Sequence, residues 1–225
     1  MMKLRQGLIL LTATLMLAFV IPGCKKNNKN DDAPGETPGK LVGMGEMAGV
    51  PTGTPFVFPA NISVAGSIYG SSCDTAYRRG SGEFVDVCIG FFNSGTTDYT
   101  LTLPAGLTIT ADDVTYQHGI IIQDTKILLK AGMITRCGVG AYCINAPKKP
   151  SSYTVTYKIG NVSDSRLIKQ LIDLLKNKKI NIEEYANSSD YNDAVDIIQP
   201  AVWSITDFDG LQEPIKQEIA TIPNK

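Results

Sequence analysis

One histidine, His118, and one tryptophan, Trp203, are all that 225 residues supply of those two types. Scarce histidine removes the commonest metal ligand and the commonest general base, and no C-x-x-C pair compensates for it. His118, in TYQHGIII, is accompanied by no G-x-S-x-G elbow, so a Ser–His–Asp hydrolase has no scaffold in this chain. No glycine-rich loop opens a helix to cradle phosphate. An excess of positive charge is also missing, with 21 basic against 22 acidic residues, which leaves nothing to hold nucleic acid. Carboxylates do come in pairs, Glu183/Glu184 and Asp207/Asp209. Adjacent glutamates, however, point apart on any regular element, and DFDG lacks the later ligands of a calcium loop. These absences point away from an enzyme, and no metal or cofactor is expected.

What the chain does have begins at its start. Lys3 and Arg5 lead an apolar run, Gly7 to Ile21, that is too short to span a bilayer and is bounded as a secretory signal is. Gly23 then precedes Cys24, and the chain turns polar at once. VIPGC resembles the lipobox of bacterial lipoproteins, with Pro22 as a departure from it. The resemblance implies cleavage before Cys24 and acyl chains, palmitate among them, on its thiol and new amino group. Several acyl chains hold a protein stably where one binds only marginally, so the expected location is the outer membrane, lipid-anchored and facing the surface. Without Lys3 and Arg5 the balance is 19 basic to 22 acidic residues, a net charge of −3. The organisation read from this is a signal peptide over 1–23 and a lipidated cysteine with a disordered tether over 24–40. A β-sandwich domain over 41–159 and a helical subdomain over 160–225 follow. The tether, KKNNKNDDAPGETPGK after Cys24, holds no large apolar residue to offset its chain entropy.

The middle of the chain reads as strands. EFVDVCIGFFN puts Val85, Val87, Ile89 and Phe91 on one face and Phe84, Cys88 and Phe92 on the other, as a strand covered on both sides does. DYTLTLPAGLTIT alternates strictly, and GIIIQDTKILLKAGMITRCGVGAYCIN supplies two or three more strands. Short strands with regular turns predict an α+β protein built on an antiparallel β-sandwich, Ig-like or barrel-like. From Gly160 the period changes. NVSDSRLIKQLIDLLKNKKI carries Leu167, Ile168, Leu171, Ile172, Leu174 and Leu175 on one stripe, with Ser163 or Asp164 as N-cap. A second helix is expected from near Asp190, bending or restarting at Pro200, and a third from about Pro214.

Four cysteines remain in the mature body: Cys73, Cys88, Cys137 and Cys143. An exported chain permits disulfides, and four thiols allow three pairings. On one extended strand Cys137 and Cys143 would lie about 20 Å apart, so a bond between them needs the glycines of CGVGAYC to fold the chain back.

Two stretches carry a further resemblance. GAYCIN and IIQPAVWSITD resemble the YC and TQxA(I/V)W segments of the thioester domains of bacterial surface adhesins. The match rests on Tyr142 and Cys143, then on Gln199, Ala201, Val202 and Trp203, with Ile198 in place of the threonine. That family implies a sheet and a helical unit bringing a cysteine to a glutamine, here Cys143 with Gln199 or Gln212, to form a reactive internal thioester. The whole mature chain is similar to uncharacterised secreted lipoproteins of gut Bacteroidales, through FFNSGTTDYTLTLPAGLTI, QHGIIIQDTKILL, AYCIN and VWSITDFDGL. DTA, Asp74 to Ala76, resembles the O-glycosylation site of that phylum and nominates Thr75. The expectation is a lipid-anchored envelope protein that binds a host or neighbouring-cell protein or glycan non-covalently. The alternatives are a covalent thioester adhesin and a passive structural subunit of the envelope or of an appendage.

Overall fold

The computed structural model describes residues 35–71, 73 and 77–225. In chain order the strands are β1 (Gly53–Pro55), β2 (Ile62–Val64), β3 (Ile68–Gly70), β4 (Arg78–Gly80), β5 (Val85–Asn93) and β6 (Tyr99–Leu103). They continue with β7 (Leu107–Ala111), β8 (Gly119–Ile120), β9 (Thr125–Leu129), β10 (Ile134–Cys143) and β11 (Thr156–Ser163). Helices α1 (Arg166–Leu175), α2 (Ser188–Thr206) and α3 (Glu213–Thr221) follow, with a 3-10 turn at Ile182–Glu184 between the first two.

Six strands close into a barrel in the order β5-β3-β11-β7-β8-β10, because β10 also pairs with β5 from Ile134↔Phe92 to Ala141↔Val85. Each neighbouring pair in this ring is antiparallel. Of the two forms expected, the barrel is the one adopted. β2 adds to β5, β4 adds in parallel to β10, β1 adds to β11, and β6 and β9 form a separate two-stranded sheet.

The expected alternation of β5 holds: Val85, Val87, Ile89 and Phe91 are fully buried. They share the barrel core with Leu107, Ile109, Cys137, Val139, Ala141, Cys143 and Tyr157. The opposite face of β10 sends Tyr142 outward into a second core, where it meets Ile120, Ile122, Ile144 and the buried stripes of the helices. The two glycines of CGVGAYC do not fold the chain back. A Cβ on Gly140 would lie 2.8 Å from the Gly82 carbonyl, and one on Gly138 would lie 3.2 Å from the Arg78 side chain. They admit the close approach of β4 and its following loop.

The helices differ from expectation in detail. Ser165, not Ser163 or Asp164, caps α1 by accepting from the Ile168 N–H at 3.3 Å. Leu167, Ile168, Leu171 and Leu175 are buried, whereas Leu174 is exposed. Helix α2 neither stops nor restarts at Pro200. Pro200 and Asp196, whose carbonyl loses its partner, both lie on the exposed face, where solvent can serve that carbonyl.

The tether ends earlier than composition suggests. Glu36 accepts from the Ser165 hydroxyl (3.0 Å) and from the Arg166 and Leu167 N–H groups (3.3 and 3.2 Å), at the positive end of α1. Gly39 N–H donates to the Ile205 carbonyl, and Leu41 and Met44 are buried in the helical core. The boundary near residue 160 also falls inside β11, so barrel and helices share one fabric.

Candidate functional site

Register places one set of strand ends together: the last residues of β3, β7 and β10 and the first of β5, β8 and β11. Loops 81–84, 112–118 and 144–155 therefore crown a single end of the barrel, and the C-terminal half of α2 leans across it.

At this end Cys143 turns its thiol into the barrel core while its main chain faces α2. The Gln199 carboxamide pairs with that main chain as another strand would. Its Oε1 accepts from the Cys143 N–H at 2.9 Å, and its Nε2 donates to the Cys143 carbonyl at 2.9 Å. Gln199 is only 3% exposed, so this two-point pairing lies in a medium where an unmade hydrogen bond is costly. One turn on, Trp203 packs against the barrel core and its ring meets Phe84 at 5.4 Å between centroids. Asp207 caps α2 at its C-terminus, taking hydrogen bonds from the Ala146 N–H (3.0 Å) and the Thr206 hydroxyl (2.6 Å).

Asn145 ties the parts together. Its N–H donates to the Cys143 sulfur at 3.3 Å, its Oδ1 accepts from the His118 N–H, and its Nδ2 donates to the Gly45 carbonyl at 2.8 Å. Burial pushes the Cys143 thiol up to about 11, against smaller opposing effects of the Trp203 indole and the Asn145 N–H. The indole nitrogen and the Tyr157 hydroxyl are both buried near this thiol without a well-placed acceptor. His118 is buried with Nδ1 accepting from the Ala111 N–H, and burial, helped by Lys148, lowers its pKa to about 4. It is a neutral structural acceptor at physiological pH.

The structure thus brings Cys143 and Gln199 together, but through the Cys143 main chain. A protonated thiol and a carboxamide with both ends engaged make a fastening; acyl transfer from Gln199 would first have to break both hydrogen bonds. Gln212 stands at the start of α3 and donates to the Asp209 carbonyl. Cys73 and Cys88 form a disulfide with Cα atoms 4.8 Å apart. Cys137 and Cys143 carry free thiols, because both point inward along one unbroken strand and cannot reach each other. Cys24 and Thr75 lie outside the described residues. Among the described residues no three His, Cys, Asp or Glu side chains converge as a metal site would require.

A rim of aromatic rings, weakly signalled in the sequence, stands at this same end. Tyr153 is 78% exposed and Tyr69, in β3, 51%, and the Ser151 N–H joins the Tyr153 loop to the Phe84 carbonyl at 2.8 Å. Lys149 lies over the Tyr116 ring at 5.7 Å. The signal was local: Tyr153 sits in PSSYT, among turn residues with no apolar partner in phase. Comparison with protein-family models, curated proteins and solved structures finds no match to this chain.

Proposed function

We propose that this chain is a lipid-anchored cell-envelope protein whose aromatic barrel end binds a protein or glycan on a host or neighbouring cell without covalent chemistry. The observation that carries the reading is the placement of that rim. Tyr69 pairs with Thr156, the first residue of β11, whereas Glu36 is held at Ser165, two residues past the end of that strand. Eight residues of strand separate the two by about 26 Å. With lipid on Cys24, the eleven residues from there to Gly35 reach at most about 40 Å, so the domain is moored at one end and shows its rings at the other. Phe84, Tyr153 and Tyr69 offer flat, stiff contact surface, the kind that dominates binding at interfaces and stacks on sugar rings.

The test has two arms. Cys24→Ala should abolish metabolic labelling with palmitate and release the protein from membranes; a variant that stays labelled refutes the anchor. The folded domain should bind an immobilised array of mucin glycans and matrix proteins, and a Tyr69→Ala/Tyr153→Ala double variant should lose that binding at least tenfold. Undiminished binding by the double variant refutes the rim.

A second reading, a covalent thioester adhesin, draws on the contact between Gln199 and Cys143. It requires a mass deficit of one ammonia, about 17 Da, that Cys143→Ala removes.

A further inference from the structure

We propose that Lys225 and Gln123 are the two ends of an intramolecular isopeptide bond, made by transamidation with Glu184 as proton acceptor. The four groups this reaction needs converge where the chain's last residues cross the start of β9. Lys225 Nζ lies 2.6 Å from the Gln123 Oε1 and is also hydrogen-bonded to the Glu184 carboxylate. A small rotation of the lysine's terminal torsion separates this position from the about 3–3.5 Å approach to a carbonyl carbon that displacement requires. Glu184 is held for its task by its other oxygen, which accepts from the Ile180 and Asn181 N–H groups at 2.8 and 3.0 Å.

The electrophile is held as firmly. Gln123 is 7% exposed, and its Oε1 also accepts from Asn181 Nδ2 at 3.3 Å, a donor that stays in place as the oxygen gains negative charge. Its Nε2 faces three carbonyl oxygens, those of Leu175 (2.9 Å), Lys178 (3.0 Å) and Lys176 (3.3 Å). A primary amide has only two hydrogens for three acceptors. Ammonium has enough for all of them, and the Leu175 and Lys176 carbonyls belong to the C-terminal end of α1, where a cation is favoured. The leaving group is therefore better served than the amide it leaves. A cavity of about 460 Å³ lined by Ile122, Asp124, Ile172 and Glu183 opens beside the three groups and gives ammonia a way out.

Preorganisation extends to the tail. Lys225 N–H donates to the Asn177 carbonyl at 3.0 Å, Lys179 N–H donates to Pro223 at 2.8 Å, and Lys178 pairs with Asn224. Lys178 Nζ grips the Ala220 and Ile222 carbonyls at 2.8 and 2.7 Å.

The step balances without a further reactant. Nζ passes a proton to Glu184, its lone pair forms a bond to Cδ of Gln123, and the Cδ–Nε2 bond breaks. The attacking nitrogen gives up a second proton to Nε2, which departs as ammonia and takes up the proton held by Glu184. A carboxamide and an ammonium become a secondary amide and an ammonium ion. The product ties residues 102 apart in sequence and clamps the tail behind α3 to the barrel, as suits a domain exposed to proteases.

Intact mass of residues 25–225, produced without the signal and lipid cysteine and denatured under reductant, decides the matter. Wild type and Cys143→Ala should both fall short of the sequence mass by one ammonia, about 17 Da, and Lys225→Arg should not. Tryptic digestion should yield the peptide containing Lys225 joined to the one containing Gln123. Full mass in folded wild-type protein after prolonged incubation overturns the proposal. So does a deficit that persists in Lys225→Arg; one lost in Cys143→Ala assigns the ammonia to a thioester instead.

Discussion

Replacing Gln199 with alanine tests whether the α2 fastening is as strong as its geometry implies. The carboxamide satisfies one buried donor and one buried acceptor of Cys143, each at 2.9 Å. Alanine leaves both without a partner, at about 1–3 kcal/mol for each group. The loss of about 2–6 kcal/mol is a large share of the about 5–15 kcal/mol that a typical domain possesses. Urea titration followed by the fluorescence of Trp203, which is the only tryptophan and sits one turn away, reads the effect directly. For a slope of about 2 kcal/mol per molar, the midpoint should fall by about 1–3 M with the slope unchanged. A fall below about 0.5 M would mean that water replaces the carboxamide at little cost, and would refute the reasoning. Gln199→Glu sharpens the test. A protonated carboxyl can accept from the N–H and donate to the carbonyl as the amide does, whereas a carboxylate meets the carbonyl with like charge. Its folded pKa must then be raised above the unfolded value of about 4.3. Its stability should therefore approach wild type below that value and fall away as pH rises through the folded pKa.

Four further outcomes follow from the same structure. His118 has a folded pKa of about 4 against an unfolded value of about 6.5, so the unfolded chain takes up the proton first as pH falls. Stability should decline between those pH values, and His118→Asn, which keeps an acceptor for the Ala111 N–H, should flatten that part of the pH–midpoint curve; parallel curves would refute the assignment. Burial holds the Cys143 and Cys137 thiols near about 11 and about 12, so iodoacetamide at pH 8 should modify neither in folded protein and both in urea. Reducing Cys73–Cys88, which spans 15 residues, should cost about 3 kcal/mol in a denaturant titration. Glu36→Ala should cost about 1–2 kcal/mol and raise hydrogen exchange in the first turn of α1, with unchanged exchange counting against the cap.

How much of this was legible in the sequence depended on the range of the interaction. Inward positions of β5 and of the helices followed from period alone, since Val85 to Phe91 and Leu167 to Leu175 each face one local environment. Barrel closure was not legible as such. A sandwich and a barrel share the same alternation, and only the pairing of β5 with β10 separates them. CGVGAYC was open to reading as a fold-back because the partner that needs its glycines, the chain around Arg78 to Gly82, is distant in sequence. GETPGK has the composition of a tether, and no local pattern betrays that Glu36 caps a helix 130 residues on. The contact between Cys143 and Gln199 was reached by motif resemblance alone, and its geometry, side chain to main chain, needed the fold. The constellation at Gln123 left no trace in the sequence, because Lys225, Glu184 and Asn181 meet only when the tail has been laid down.

The interleaving of the chain's two ends has a consequence for how the protein is made. The segment holding Gly39, Leu41 and Met44 completes a core whose other members lie in α1, α2 and α3. A ribosome or a translocation channel delivers residues in order, so this early segment waits for nearly the whole chain before its partners exist. Closure of the barrel waits as well, for β5 cannot meet β11 through β3, or β8 through β10, until both later strands have emerged. Contacts of such sequence separation make folding slow and nearly all-or-none. If the chain crosses a membrane in extended form, as the proposed function requires, that delay is an asset: little can lock before the last helix arrives, and the domain then assembles where it will stay.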